Sequence, residues 1–269
     1  MTKYIFLGLS TALIFSCNFS GIKENTEDYQ LPKEDIETIH TVSDSVSFDN
    51  GMIIRYFKHG TGDSLRKDDV VNIDYSCRLK DGTVFDSNDK IGHPIPFLVG
   101  WMMQTKGWDL AFNTLRVGDE VEIFLPAALA RGDKSVQGTV PPNSDNWIRV
   151  SIVEKLEPQF ELDGVKVFLV ERENKSRKLK LGDEVQIEFI AYSESKPRYS
   201  SSFENGSPFA LKIGSASNLP GLNMAMEFAH FGDMIWVFIP SKHAFGAKGS
   251  VDNVKPNEDI FFDILIAEE

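Results

Sequence analysis

The feature that most constrains this chain is an internal repeat with a fixed offset of 114 residues, as from Gly100 to Gly214. Conservative pairs keep this offset without a gap: Tyr75 with Phe189, Phe85 with Tyr199, and Val150 with Ile264. Further first-copy residues that recur identically at this offset include Gly107, Gly118, Asp119, Phe124, Pro126, Ala130, Gly132, Pro142 and Asn143. Chance coincidences of Gly and Pro do not give so long an ungapped register. The repeat predicts two domains of one fold.

Alternating apolar residues in the first copy indicate half-buried strands. Val121, Ile123 and Leu125 form one such strand, which Pro126 ends, and residues 148–152 form the last strand. Ahead of both strands, the spacing of the apolar residues 108, 111, 112 and 115 predicts one short helix with a single buried face, running from residue 107 to the glycine at 118. Antiparallel strands packed on one helix predict an α+β fold, twice in tandem.

Composition excludes several classes of partner. The 269 residues contain 28 Lys and Arg against 40 Asp and Glu, a formal net charge of −12. This charge repels phosphate backbones, so nucleic acid is not expected as a partner. The sequence has 2 cysteines, which excludes a disulfide-stapled scaffold. No zinc-ligand spacing, phosphate-binding glycine loop or dinucleotide fingerprint is found, so we expect neither a metal nor a cofactor.

The first 16 residues have the pattern of an export signal. Lys3 precedes an apolar stretch over residues 4–15, too short to span a bilayer as a helix. Residues 14–17 (IFSC) resemble a bacterial lipobox, which implies lipidation of Cys17 and a lipid anchor in a membrane. The alternative is a plain signal peptide with an incidental cysteine. Either predicts export, and lipidation places the chain in the cell envelope, on the periplasmic side or at the outer membrane.

Four segments follow from these patterns. Residues 1–16 are the predicted lipoprotein signal peptide, and residues 17–48 form an acidic tether with few large apolar residues. The two copies of the repeat then occupy residues 49–157 and 158–269, meeting near Glu157-Pro158.

Cys77 lies in a run of alternating apolar residues over 71–79. The alternation places it on the buried face of a strand together with Tyr75 and Leu79. Because this face packs into the core, we interpret Cys77 as a small core residue and not as a nucleophile.

The first copy resembles an FKBP-type peptidyl-prolyl isomerase, in a tandem-domain bacterial lipoprotein. The matching motifs are VNIDYSCRLKDGTVFDS (71–87), PIPFLVG (94–100), KGWDLAFNTLRVGD (106–119), FLPAALARG (124–132) and TVPPN (139–143). The resemblance covers most of residues 51–269, twice. It implies an antiparallel sheet that curls around a short helix, with a hydrophobic pocket between them and proline-containing, unfolded or folding polypeptides as substrates.

The same resemblance implies which residues form the first pocket. Tyr75, Phe85, Asp86 and Trp108 would be catalytic, and Phe97, Thr105, Arg131, Val140 and Ile148 would bind the substrate. Trp108 would be the floor and Asp86 a polar group at the rim. For Tyr75 or Phe85 alone, ordinary core packing remains an alternative. Arg131 replaces a tyrosine of the family, and it either donates a hydrogen bond in its place or points into solvent.

The second copy resembles the same family, but more of the residues implied for the pocket are replaced in it. Phe189 stands for Tyr75, Ser200 for Asp86, and Leu222 for Trp108. A leucine floor offers no flat aromatic platform for a proline ring, so we expect this copy to bind or to support structure, with little catalysis.

Two hypotheses for function remain open from the sequence. The first is an exported, lipid-anchored prolyl isomerase that assists protein folding through its first domain. The second is a non-catalytic, FKBP-like binding or chaperone lipoprotein that holds a client chain in two apolar grooves. Asp86 and Trp108 favour the first hypothesis, whereas Arg131, Ser200 and Leu222 favour the second.

Overall fold

The computed structural model describes residues 41–136, 138–172 and 176–269. The predicted signal peptide, Cys17 and most of the predicted tether lie outside the described residues.

The first repeat forms a seven-stranded sheet with one short helix. Its strands run in the order β1-β2-β6-β7-β3-β4, and β5 pairs with β3. The pairs β1-β2, β2-β6, β6-β7 and β3-β4 are antiparallel. The elements are β1 (Asp44–Ser47), β2 (Ile53–Lys58), β3 (Val70–Arg78), β4 (Val84–Ser87), β5 (Ile95–Leu98), α1 (Lys106–Phe112), β6 (Glu120–Leu125) and β7 (Asn146–Leu156).

The second repeat forms its own seven-stranded sheet. Its order is β11-β10-β14-β13-β9-β8, and β12 pairs with β10. The elements are β8 (Phe160–Leu162), β9 (Val165–Glu171), β10 (Glu184–Ser193), β11 (Ser200–Ser201), α2 (Ser202–Asn205), β12 (Phe209–Lys212), α3 (Pro220–Met226), β13 (Met234–Ile239) and β14 (Ile260–Ile266). Two 3₁₀ turns, Ser241–His243 and Gly246–Lys248, lie between β13 and β14.

The two sheets have one topology, in the register that the repeat predicts. The elements β3, β5, α1, β6 and β7 each begin 114 residues before β10, β12, α3, β13 and β14, as Lys106 precedes Pro220. The α+β class and the tandem arrangement are therefore confirmed. The second repeat adds α2, a helix of 4 residues whose N-cap Ser201 accepts a bond from the Glu204 amide.

Helix α1 is shorter than its apolar pattern predicts. The predicted face is confirmed, because the side chains at 108, 111, 112 and 115 are all buried. The predicted end near residue 118 is wrong: the helix ends at Phe112. The Thr114 amide and hydroxyl both donate to the Ala111 carbonyl, at 2.9 and 2.7 Å, which tightens the chain into turns. Gly118, at φ 90°, instead lies in the turn that leads into β6.

By the density of contacts the chain forms two compact units. Of the described residues, the first unit holds 41–65, 73–95 and 104–153, and the second holds 66–72, 96–103 and 154–269. The second unit has two apolar clusters on opposite faces of its sheet, so that Phe262 belongs to one and its neighbour Phe261 to the other. Trp101, from segment 96–103, joins the second cluster and packs edge-on against Phe238 at 5.6 Å.

Candidate functional site

A hydrogen-bonded pair of side chains marks the predicted site in the first unit. Tyr75 lies on β3, and its hydroxyl donates to a carboxylate oxygen of Asp86 on β4 at 3.0 Å. The two strands pair so that Cys77 lies opposite Asp86, with an irregularity between Cys77 and Arg78. The hairpin therefore holds the phenol and the carboxylate together.

Asn88 fixes the backbone beside this pair. Its side-chain oxygen accepts a bond from the Tyr75 amide at 2.8 Å, and its amide group donates to Asp74 and to the His93 carbonyl, at 2.8 and 2.9 Å. Asn88 is buried, so these bonds hold β3 in place under the site. Sequence reasoning missed this residue, although the second repeat repeats the contact with Ser202, whose hydroxyl accepts from the Phe189 amide at 2.9 Å.

Trp108 lies in α1 against Tyr75. The two rings meet edge to face, with centroids 5.7 Å apart and an interplanar angle of 78°. The indole also stacks on Phe112, with centroids 5.5 Å apart. The preceding Gly107 lets the helix approach β6 closely, since an added Cβ would lie 2.7 Å from the Leu125 side chain and from the Leu129 carbonyl. The structure thus brings Trp108, Tyr75 and Asp86 into one chain of contacts.

Burial sets the electrostatics of the site. Desolvation raises the pKa of Asp86, and the Tyr75 hydroxyl bond and the Arg131 charge oppose that rise. The pKa of Tyr75 is also raised, first by burial and then by the Asp86 charge, so the phenol stays protonated as a donor. Arg131 is thus close enough to act on the Asp86 carboxyl, and the guanidinium contributes positive charge to this side of the site.

Cys77 is confirmed as a buried strand residue. It is a free cysteine with 3% of its surface exposed. Burial raises the pKa of its thiol well above the usual value, which disfavours the thiolate that a nucleophile needs.

The remaining predicted site residues differ in exposure. Phe85 and Arg131 are half-buried, whereas Val140 and Ile148 are buried, with Ile148 opposite Ile123 in the sheet. Phe97 lies on β5 and is buried. Thr105 is the N-cap of α1, and its buried hydroxyl has no hydrogen-bond partner among the described residues. Cys17 lies outside the described residues.

The second unit carries the replaced residues at the equivalent places. Phe189 and Ser200 lie on β10 and β11, and Leu222 lies in α3. Phe189 packs edge-on against Phe209 at 6.0 Å and lies 5.7 Å from Phe262. This site has apolar rings where the first unit has the pair of Tyr75 and Asp86.

The described residues contain neither a metal-binding cluster nor a membrane-spanning helix. Within ranges 41–136, 138–172 and 176–269, no group of three or more His, Cys, Asp or Glu side chains is arranged to hold a metal ion. Among the helices of those same ranges, none has the length and hydropathy of a membrane span.

Comparisons with known proteins agree with the repeat. The family model FKBP_C, described as FKBP-type peptidyl-prolyl cis-trans isomerase, matches residues 62–153 and 175–267. Outer membrane protein MIP of Legionella longbeachae is 36% identical over 104 residues, which are 39% of this chain and 44% of that protein. Peptidyl-prolyl cis-trans isomerase Mip of Coxiella burnetii is 34% identical over 104 residues, with the same shares. The matched region therefore spans less than half the length of either relative.

A solved structure with several such domains is also similar. The crystal structure of the 3 FKBP domains of wheat FKBP73 aligns with a TM-score of 0.40 and 19% identity, over 82% of this chain and 95% of that one. The two matches to the family model cover most of the chain, one in each repeat. The chain therefore belongs to the FKBP-type peptidyl-prolyl cis-trans isomerase family, with two domains of that family in tandem.

Proposed function

We propose that this protein catalyses cis-trans isomerisation of prolyl peptide bonds, that its first unit carries the activity, and that its substrates are unfolded or folding polypeptides. The observation that carries the proposal is the contact chain from Trp108 to Tyr75 to Asp86. It lies within the first stretch that matches the family model, residues 62–153. Membership of the family and the names of the relatives support this activity.

The chemistry needs no nucleophile or cofactor. Rotation about the imide bond meets a barrier of about 18–20 kcal/mol that comes from amide resonance, and the uncatalysed process takes tens to hundreds of seconds. A water-poor aromatic site disfavours the charge-separated planar amide relative to the twisted one. Selective binding of the twisted form then lowers the barrier.

Each residue of the first site has a role in this proposal. Trp108 lies beneath the proline ring, and Tyr75 and Phe85 flank it. Asp86, held by the Tyr75 hydroxyl, supplies a polar rim. The Thr105 hydroxyl, which has no partner among the described residues, is placed at the start of α1 to bond the substrate backbone.

The binding residues complete the first site. Arg131 takes the place of the family's tyrosine as a donor to the substrate carbonyl, and its effect on the pKa of Asp86 supports a position beside the rim. Val140 and Ile148 are buried and support the apolar wall of the first unit, whereas Phe97, also buried, lies in the segment 96–103 that groups with the second unit.

A proline-isomerisation assay on the full chain tests the activity. We expect acceleration well above the uncatalysed rate, and a loss of at least tenfold in Trp108→Ala and a smaller loss in Asp86→Ala. Val251→Ala, at a site 87% exposed and far along the sequence, is the control. If the parent chain does not accelerate isomerisation above the uncatalysed rate, the proposal is wrong, and the alternative of a non-catalytic binding lipoprotein remains.

We further propose export and lipid anchoring through Cys17 in the cell envelope, on the periplasmic side or at the outer membrane. The lipobox-like residues 14–17 and the name of the Legionella relative, an outer membrane protein, support it. Labelling with a radioactive fatty acid in cells tests the anchor. We expect label in the membrane fraction, and neither label nor membrane association in Cys17→Ser. Label retained in that variant would contradict the anchor.

A further inference from the structure

The second unit contains a cavity of about 220 Å³. It occupies the place of the predicted site in this repeat, since its lining includes Phe189, Ser200 and Leu222, the counterparts of Tyr75, Asp86 and Trp108. Five aromatic rings line it, from Phe189, Tyr199, Phe209, Phe245 and Phe262. The cavity is therefore built mainly from apolar surface.

The charge of the lining restricts what can enter. Of the described residues that line the cavity, none carries a charge, and its polar members are Tyr199, Ser200, Ser217 and Asn218. Asn218 already donates to the Lys212 carbonyl and to Asn223, at 2.8 and 2.9 Å. A charged group would lose its hydration here without a compensating partner, so the group that enters is uncharged.

The Tyr199 hydroxyl indicates that the ligand carries a hydrogen-bond acceptor. This oxygen is buried and has no hydrogen-bond partner among the described residues. Burial raises the pKa of Tyr199, so the hydroxyl keeps its proton and remains a donor. A buried donor without a partner costs about 1–3 kcal/mol. A ligand carbonyl that accepts this bond would remove that cost, and a peptide backbone supplies such a carbonyl.

The size and the rim of the cavity indicate one side chain of a longer chain. Small-molecule sites usually measure about 300–1,000 Å³, so this cavity is smaller than a site for a cofactor. Phe209 at the rim leaves 49% of its surface exposed, whereas Leu222 beneath is 7% exposed. The exposed ring offers apolar area that a bound chain would cover, beside a deep opening that one side chain would fill.

The residues at the bottom of the cavity disfavour stacking of a flat ring and favour a side chain that reaches deep into the cavity. In the first unit the indole of Trp108 fills this level, against Tyr75 and Phe112. In the second unit Leu222 and the buried Met226 take the places of Trp108 and Phe112. The smaller side chain at 222 leaves depth in place of a platform.

We propose that this cavity binds a bulky, uncharged, apolar side chain of an unfolded polypeptide, with the Tyr199 hydroxyl donating to a backbone carbonyl of that polypeptide. The site holds the chain without isomerising it and does not require proline. It is independent of the activity proposed for the first unit, and an inactive first unit would leave it intact.

Fluorescence polarisation with the full chain tests this site. The probes are capped, fluorescein-labelled hexapeptides that differ only at one central residue, Leu or Asp, and contain no proline. We expect saturable binding of the Leu peptide and at least tenfold weaker binding of the Asp peptide. Leu222→Trp, which fills the cavity, should weaken the Leu peptide at least tenfold. Tyr199→Phe should weaken it about threefold or more.

The controls separate this cavity from the rest of the molecule. Val251→Trp introduces the same side chain at a site 87% exposed and outside the cavity lining, so affinity should stay within twofold. Should Leu222→Trp fail to fold, as judged by its thermal melting, the conservative Tyr199→Phe variant decides. Absence of binding, equal binding of the Asp peptide, or folded variants at 199 and 222 with parental affinity would each overturn the proposal.

Discussion

The strands β6 and β13 occupy the same place in the two repeats and differ in how much of them is buried. In β6, whose sequence is EVEIFL, alternate residues are buried, and Glu120 and Glu122 face outward. In β13, whose sequence is MIWVFI, all six residues are buried. One fold thus supports a sheet with one wet face in the first unit and a sheet covered on both faces in the second.

The two sites differ in the same direction. The first has a carboxylate, a phenol and an indole in contact, with an arginine near enough to change the pKa of the carboxyl. The second has apolar rings, a leucine floor and one buried hydroxyl without a partner among the described residues. The comparison teaches that one backbone frame holds side chains of different polarity at equivalent positions, which are 86 and 108 in the first repeat and 200 and 222 in the second.

The largest expected effect concerns Asp263 on β14, whose counterpart in β7 is Arg149. Asp263 is wholly buried opposite Trp236, and burial raises its pKa to about 7, weakly opposed by Trp236 and by the Arg198 charge. The unfolded chain loses this proton near pH 4, so the folded state alone holds it between about pH 4 and 7. Stability therefore falls as pH rises through this window, by about 1.4 kcal/mol per unit.

Asp263→Asn removes this titration. We expect the variant to be more stable than the parent by up to about 4 kcal/mol above pH 7, with the gain shrinking to nothing near pH 4. Urea unfolding at four pH values from 4 to 8 measures it. Asp252→Asn, at an exposed residue, is the matched control. A difference that does not change with pH would contradict the assigned cause.

The next effect compares two aspartates at the turns before β6 and β13. Asp119 accepts bonds from the Gly60 and Arg116 amides, at 2.7 and 2.9 Å. Asp233 accepts from the His230 amide at 2.8 Å and also from two nitrogens of Arg172, at 2.8 and 2.7 Å. The second turn therefore contains a two-point ion pair on a buried carboxylate, and no such pair is seen for Asp119 among the described residues.

Asp233→Ala leaves the Arg172 charge without its partner, so we expect a loss of about 3 kcal/mol in the free energy of unfolding. Asp119→Ala removes bonds to backbone amides only, and about 1–2 kcal/mol is expected. Denaturant unfolding of both variants compares them. Equal losses would show that the ion pair adds nothing.

Trp108→Leu gives the first site the floor of the second. We expect kcat/KM for a proline peptide to fall at least tenfold, because leucine offers no flat surface beneath the ring. Trp147→Leu is the control, since Trp147 packs on Phe124 in β6, outside the site, at 5.0 Å. Parental activity in a folded Trp108→Leu chain would show that catalysis does not depend on this indole.

The smallest effect concerns Asn88, which fixes the backbone of β3 beside the site. Asn88→Ser gives position 88, just after β4, the residue that Ser202 provides in the second repeat, and it keeps an acceptor for the Tyr75 amide. It removes the two bonds that the Asn88 side chain donates to Asp74 and His93. We expect a loss of about 1 kcal/mol in the free energy of unfolding, since a net hydrogen bond contributes about 0.5–1.5 kcal/mol. Thermal melting measures it, and an unchanged melting temperature would contradict a structural role.

Much of the fold was predictable from local patterns. The alternation in β6 and the offset between the repeats are periodic signals, and the structure confirms both. The end of α1 was not predictable in this way, because the Thr114 hydroxyl competes for the Ala111 carbonyl and tightens the turn. A hydroxyl in a helical pattern carries no sign of which carbonyl it will bond.

The candidate site was predictable in part. The aromatic residues and Asp86 follow from motifs. The hydrogen bonds of Asn88 and the unpartnered hydroxyl of Tyr199, judged among the described residues, do not. Asn88 acts through three bonds to residues between 5 and 14 positions away, which no sequence period connects. Tyr199 differs from its counterpart Phe85 by one oxygen, and only the packing around it shows that this oxygen lacks a partner among the described residues.

The sequence by itself determined that the chain contains one fold twice, because a register of 114 residues and the alternation within it are properties of the order of residues. Tertiary structure alone decided which polar groups lie in contact or in isolation. Tyr75 reaches Asp86, Asn88 reaches the Tyr75 amide, and Asp263 lies buried opposite Trp236. The physical reason is that hydrogen bonding and desolvation depend on distances between residues from different strands, which the folded chain sets.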